Sequence, residues 1–188
     1  MVLLPRLIGQ SIDELTPIYF HYILIYVTIV NHLFPIFIND HSKILILGSF
    51  PSVKSREDGF YYSHPRNRFF LVLSNIFNEE CPISIDDRKE FLKKHKIALY
   101  DDVIEECEIH ASSDSSIRNV KPIDIESILR KYPNIECIGI TGGKAKELFD
   151  RYLSDKVDVK VKYLPSTSSA NARMKVDDLV KEYRKLFD

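Results

Sequence analysis

Lys43-Ile44-Leu45-Ile46-Leu47-Gly48-Ser49-Phe50-Pro51-Ser52 joins an aliphatic run to a break made of small residues and a proline. Consecutive large aliphatics without polar alternation read as a strand buried on both faces, which is what a parallel sheet covered by helices requires. Beyond it, Gly48 and Ser49 let backbone come close to a ligand, and Pro51 stiffens the turn. Shortly after, Phe60-Tyr61-Tyr62-Ser63-His64-Pro65-Arg66-Asn67 supplies stacking faces, donors and acceptors. The two segments together read as a base-handling loop at the end of a buried strand.

Working outward, the chain after residue 42 alternates short β-branched runs with helical periodicity, the signature of strands joined by crossover helices. Strands are predicted at 43–47, 97–100, 135–140 and about 157–163. A helix begins near Asn67, since Phe69, Val72, Leu73 and Ile76 share one face. A short helix follows with Asp86 or Asp87 as its cap, and another runs from about Asp124 to Lys131, stopping at Pro133. Ala145, Leu148, Phe149 and Tyr152 mark a further helix. Val176, Leu179, Val180, Tyr183, Leu186 and Phe187 form the last stripe. Residues 105–122 show almost no periodicity and many side-chain oxygens, and read as an ordered loop. The expected architecture is an α/β fold, a three-layer α/β/α sandwich around a four-stranded parallel sheet. Such sheets bind ligands beyond the strand C-termini, so 48–67, 141–144 and 164–171 should line one cleft with 101–119 nearby.

The composition, 45% hydrophobic and 28% charged over 188 residues, is that of an ordinary single-domain globular protein. A formal net charge of -1 excludes a polybasic coat, so any nucleic-acid partner must be held by a local basic face. Two places qualify: Lys54, Arg56, Arg66 and Arg68 against Glu57 and Asp58, and the Lys- and Arg-rich stretch 160–188, for which a solvated charged face is the alternative. Cys81, Cys107 and Cys137 are widely spaced without a C-x-x-C pair, and the six His are scattered, so neither a disulfide framework nor a metal site is expected. The cysteine usage fits the cytoplasm. The apolar stretch Pro17–Phe37 is interrupted by His21, Asn31 and His32 and falls short of a membrane span. Residues 1–32 are therefore expected to be a packed apolar extension of unassigned role, or a consequence of the chosen start codon, with a membrane role as the alternative, ahead of a domain over 33–188.

Four segments in order, Gly48-Ser49-Phe50-Pro51-Ser52, Tyr61-Tyr62-Ser63-His64-Pro65-Arg66-Asn67, Ser112-Ser113-Asp114-Ser115-Ser116-Ile117 and Leu164-Pro165-Ser166-Thr167-Ser168, resemble the hypoxanthine-DNA glycosylase branch of the uracil-DNA glycosylase superfamily. The likeness runs from about Leu33 to the C-terminus. It implies excision of a deaminated base, chiefly hypoxanthine with uracil or xanthine as further substrates, by hydrolysis of the N-glycosidic bond to leave an abasic site. Double-stranded DNA is the implied partner. No cofactor or metal, no membrane and no oligomer is called for; a monomer in the cytoplasm, on the nucleoid in a bacterium, is expected.

Such chemistry needs a pocket for the flipped base, stabilisation of an oxocarbenium-like sugar and a departing anion, and a device that holds the duplex open. The resemblance places Gly48, Ser49, Phe50, Pro51, Tyr61, Tyr62 and Thr141 around the base, with Phe50 as the stacking platform or, alternatively, a core side chain. Other branches carry Asp or Asn where Phe50 stands, so the polar role passes to Asn67, whose amide can accept from water and donate to a base or sugar oxygen; capping the following helix is the other use of that Asn. His64 is a candidate donor to a phosphate or the leaving base, with a surface role equally open. Ser52, Lys54 and Arg66 would meet phosphates. Leu164–Asn171 resembles the insertion loop, with Pro165 stiffening it and Ser166, Thr167 and Ser168 bonding phosphate oxygens; a polar turn is the alternative. Lys54 as an amine nucleophile has no apolar surroundings to support it.

Three positions depart from the branch pattern: Ala111 for Gly, Ser169 for Pro and Thr141 for Asn. The last bears on base recognition and on the balance between hypoxanthine and uracil. A hydrolase of free nucleosides or nucleotides, which needs no insertion loop, and a non-catalytic module for damaged or single-stranded DNA, which needs no Asn67, are the competing functions.

Overall fold

The computed structural model describes residues 28–31, 35–49, 51–100, 104–109 and 117–188. Ile44–Leu47 forms a strand, β2, whose residues alternate between two apolar layers: Ile44 and Ile46 pack into one cluster, Leu45 and Leu47 into the other. It pairs in parallel with β3 (Ile97–Tyr100) on one side and β6 (Cys137–Thr141) on the other, and β6 pairs in parallel with β7 (Lys160–Leu164). The order β3-β2-β6-β7 is the expected four-stranded parallel sheet.

Helices cover both faces. On the Ile44/Ile46 side lie α2 (Phe69–Phe77), α3 (Ile85–Lys94) and α6 (Val176–Arg184), which contribute Phe69, Val72, Leu73, Phe91, Leu92, Leu179 and Tyr183. On the Leu45/Leu47 side lie α4 (Ile125–Lys131) and α5 (Gly143–Tyr152), which contribute Ile125, Ala145, Leu148 and Phe149. Full burial of side chains such as Phe69, Leu73 and Leu45 contributes about 1.5–3 kcal/mol each, enough in sum to offset much of the ordering entropy. A short α1 (Val53–Asp58) follows β2, capped by Ser52 and ended by Gly59 in the left-handed region at φ 66.

Register fixes where ligands can bind. Leu47 lies beside Tyr100 and Ile140, and Thr141 lies beside Leu164, so all four strands end along one rim. The loops leaving that rim are those the sequence places at the cleft.

The differences from expectation are local. The third and fourth strands start later than 135 and 157, since Ile135 and Val157 pack as apolar residues ahead of the ladders. The cap of α3 is Ser84 rather than Asp86 or Asp87; Asp87 instead closes a capping box by accepting from the Ser84 amide. The ordered loop expected over 105–122 is overturned: Ile104–Ile109 forms β4 and Ile117–Pro122 forms β5, antiparallel neighbours in a second sheet. Glutamates, disfavoured in strands, hide β4 from propensity. The register supplies what the alternation lacks, setting acidic positions 106 and 108 against basic positions 121 and 118. The Ser112–Ser116 segment between them, with Ala111, lies outside the described residues, as do Asp101 and Asp102.

β4 is the central strand of this sheet, and its other neighbour is β1 (Thr28–Asn31), paired antiparallel from Thr28 opposite Ile109 to Asn31 opposite Glu106. Most of the expected extension, residues 1–27 and 32, lies outside the described residues. No helix among the described residues is long and apolar enough to cross a membrane.

Candidate active site

Asn67 stands at the turn before α2, with its backbone amide donating to the His64 carbonyl at 2.8 Å. Its Oδ1 accepts from the Phe69 amide at 2.9 Å and from the Thr167 hydroxyl at 2.9 Å. A backbone amide can only donate, so the atom facing Phe69 is oxygen and the side-chain orientation is fixed. Two donors occupy the two lone pairs of Oδ1, while Nδ2 has no partner among the described residues. The first turn of α2 thus gives one amide to Asn67, although Arg68 holds the N-cap position, and the side-chain amide has donors to offer rather than a free acceptor.

The rest of the rim is tied across strands. The Thr141 hydroxyl donates to the Leu47 carbonyl at 3.2 Å, which leaves it to accept from the Tyr62 hydroxyl 3.3 Å away. Its one hydrogen is therefore used within the protein. Tyr62 is buried, adopts φ 53 and stacks on Phe69 with ring centroids 3.9 Å apart. A bulky residue at positive φ is strained and persists only where its surroundings hold it, as this stack and hydroxyl contact do. Gly142 takes φ 91 and ψ 158, a region open only to glycine, and its amide donates to the Leu164 carbonyl at 2.8 Å. A Cβ there would meet the Ser166 Cβ at 3.4 Å, so loop 142–144 and loop 165–171 touch.

The insertion-loop candidate is held by its own bonds. Ser166 Oγ accepts from the Ser168 amide, Ser168 Oγ from the Ala170 amide, and Asn171 Nδ2 donates to the Ser166 carbonyl at 2.9 Å. The Tyr183 hydroxyl donates to the Pro165 carbonyl at 2.9 Å, anchoring the loop to α6. Ser169 and Ala170 are its exposed tip. Thr167, expected at phosphates, is only 2% exposed and turns inward to Asn67. Ser166 and Ser168 stay half-buried at the rim with Pro165.

The remaining expected residues divide. Gly48 and Pro51 are buried at the end of β2 and Ser49 is half-buried beside them, as a close-approach loop requires, while Phe50 lies outside the described residues. Tyr61 is not brought to the cleft surface: it is fully buried and its hydroxyl donates to the Pro35 carbonyl. His64 is half-buried, and its Nδ1 accepts from the Arg66 amide at 3.1 Å, so in the neutral ring the proton sits on Nε2. Ser52 is exposed with its hydroxyl on the Ser55 amide as a helix cap. Lys54 is paired on its own helix with Asp58 at 2.7 Å and Glu57 at 3.7 Å. The bond to Asp58 holds its pKa above the ordinary lysine value, opposite to what an amine nucleophile needs. Arg66 is exposed and forms no ion pair among the described residues, as are Arg173 and Lys175 beside the loop.

Arg68 is the residue that sequence reasoning misplaced. Counted among surface cations, it instead turns under the loop and bonds main-chain carbonyls of Thr167, Ser168, Asn171 and Met174. Asn171 and Tyr183 were likewise legible only as loop and helix-stripe residues. No group of His, Cys, Asp and Glu among the described residues has the arrangement to hold a metal ion.

The family model of the uracil DNA glycosylase superfamily matches residues 35–187. Two curated hypoxanthine DNA glycosylases are similar in sequence: one from Methanosarcina barkeri, 34% identical over 74% of this chain and 87% of its own length, and one from Methanosarcina acetivorans, 30% identical over the same shares. A solution structure of a provisionally assigned uracil DNA glycosylase from Methanosarcina acetivorans superposes with a TM-score of 0.71 at 28% identity, covering 86% of this chain and all of that one. The parallel sheet, the loops meeting at its C-terminal rim and these matches agree, and the chain belongs to the uracil-DNA glycosylase superfamily.

Proposed function

We propose that this DNA repair glycosylase acts on double-stranded DNA as a monomer, flipping a deaminated base, chiefly hypoxanthine, out of the duplex and hydrolysing its N-glycosidic bond to leave an abasic site. The observation that carries the role assignment is the amide of Asn67, locked by Phe69 and Thr167 with its Nδ2 hydrogens unpartnered among the described residues. Bond cleavage builds negative charge on the leaving base and positive charge on the sugar, and a preorganised donor acts on the first of these without reorganising. Nδ2 of Asn67 donates to an oxygen of the departing base; the Nε2–H of His64 is a second donor, to that base or to a flanking phosphate. Since Oδ1 is occupied, Asn67 is not the group that orients the attacking water.

In this reading the domain over 33–188 carries the activity in the cytoplasm, and Phe50 is the base platform. Gly48, Ser49 and Pro51 bring backbone to the base edge, with Tyr62 and Thr141 bracing the wall behind. Pro165, Ser166 and Ser168 enter the duplex with Arg66 on a phosphate. A loop prebuilt by its own hydrogen bonds suits filling the gap left by a flipped nucleotide, and a hydrolase of free nucleosides would have no use for it.

The test is incubation with otherwise identical duplexes carrying inosine, uracil, xanthine or no lesion, followed by alkali to reveal abasic sites. Cleavage fastest on inosine is expected. Binding without cleavage of any lesion would replace this reading with that of a binding module.

A further inference from the structure

Arg68 gathers one loop onto one guanidinium. Its Nε donates to the Thr167 carbonyl at 3.3 Å, Nη1 to that of Met174, and Nη2 to those of Ser168 at 3.0 Å and Asn171 at 2.9 Å. Its backbone amide also donates to the Thr167 carbonyl, at 3.1 Å. Among the described residues no carboxylate pairs with it, so its charge is met by carbonyl dipoles alone. Charge-assisted bonds of this kind are about twice as strong as neutral ones, and only a planar fork can serve carbonyls in several directions at once.

Thr167 receives two of these bonds and is also the residue whose hydroxyl holds Asn67 Oδ1. Resting on the reading of Asn67 as the catalytic amide, we infer that Arg68 is a positioning residue: by shaping loop 165–174 it keeps the Thr167 hydroxyl on Asn67, and so couples the form of the insertion loop to the cleavage step. The loop that meets the duplex and the amide that meets the base are then one mechanical unit. A side chain that merely bound phosphate would act on affinity instead.

The experiment measures single-turnover cleavage of an inosine duplex with enzyme in saturating excess, duplex affinity by anisotropy and thermal melts. The proteins are wild type, Arg68→Lys, Arg68→Gln, Thr167→Val, Thr167→Ser and a double variant joining Thr167→Val to the Arg68 substitution that keeps a cooperative melt. Loss of the positioning bond should slow the saturated rate by about tenfold or more in the Arg68 variant and in Thr167→Val, with affinity changed less than about threefold. Thr167→Ser, which keeps the hydroxyl, should stay within about threefold of wild type. The double variant should be no slower than its slower parent by more than about threefold, because both substitutions break one chain of contacts. A wild-type rate in the Arg68 variant, a defect confined to affinity, additive slowing in the double variant, or equal loss in Thr167→Ser and Thr167→Val would each overturn the inference. Wild type inactive on every lesion would instead remove the catalytic reading beneath it, a result separable from all of these.

Discussion

The Tyr62 hydroxyl donates to Thr141, which passes its own hydrogen to the Leu47 carbonyl, so Thr141 is a strut between two strands and the aromatic turn. With its hydrogen used internally, Thr141 cannot donate to a base edge. Thr141→Val should lower the unfolding free energy by about 1–3 kcal/mol, since two buried hydrogen bonds are removed, and leave inosine cleavage within about threefold. A cleavage loss of tenfold at an unchanged Tm would instead place Thr141 on the base.

Gly142 joins the same rim through its backbone: an amide bond to Leu164 and a conformation only glycine adopts. At φ 91 and ψ 158, with Ser166 3.4 Å from a would-be Cβ, Gly142→Ala should cost about 1–3 kcal/mol and displace loop 165–171. Melting and single-turnover cleavage should both fall. An alanine variant with wild-type melting and rate would show that the backbone relaxes freely there.

Cations near the cleft are unequal. Arg66 is exposed without an ion pair among the described residues, whereas Lys54 is held by Asp58 and Glu57. Arg66→Ala should weaken duplex binding regardless of lesion and reduce the slope of log affinity against log salt by about one, as loss of a phosphate contact does. Lys54→Ala should leave the slope unchanged. The reverse pattern would move the phosphate contact to α1.

His95 gives the fold an acid sensitivity away from the cleft. Its ring stacks on Phe77 at 3.5 Å, and burial pushes its pKa below the ordinary histidine value. Glu79 Oε1 lies 3.0 Å from Nε2 but makes no hydrogen bond to it, so it sits off the N–H direction and opposes the shift only in part. A depressed pKa means the unfolded chain takes the proton first: stability is full above about pH 6.5 and declines as pH falls toward the native value. In urea unfolding, His95→Gln should flatten this part of the profile relative to wild type. Parallel profiles would assign the decline to other groups.

The parallel sheet was legible because β2 and β6 are buried on both faces, and runs such as Ile44–Leu47 have no other stable home. Convergence of the loops followed from that sheet, whereas Asn67 was singled out by the family resemblance that its motif carries. The antiparallel sheet was not legible, because it pairs polar segments whose acidic and basic positions come opposite one another only once the register is known. Thr167 and Arg68 were misjudged for a related reason. A hydroxyl and a guanidinium in polar stretches look like surface groups, and only the fold shows that both are turned toward partners a hundred positions away.

In the proposed mechanism Asn67 works as a hydrogen-bond donor, with Oδ1 fixed by the Phe69 amide and the Thr167 hydroxyl. Aspartate at this position keeps an oxygen for both partners but replaces the Nδ2 donor with a second acceptor. The decisive measurement is the single-turnover cleavage rate of an inosine duplex by wild type, Asn67→Ala and Asn67→Asp. Both variants should fall by about a hundredfold or more, as loss of one preorganised donor does. An Asn67→Asp enzyme as fast as wild type would contradict that mechanism, and would make position 67 a site for activating water.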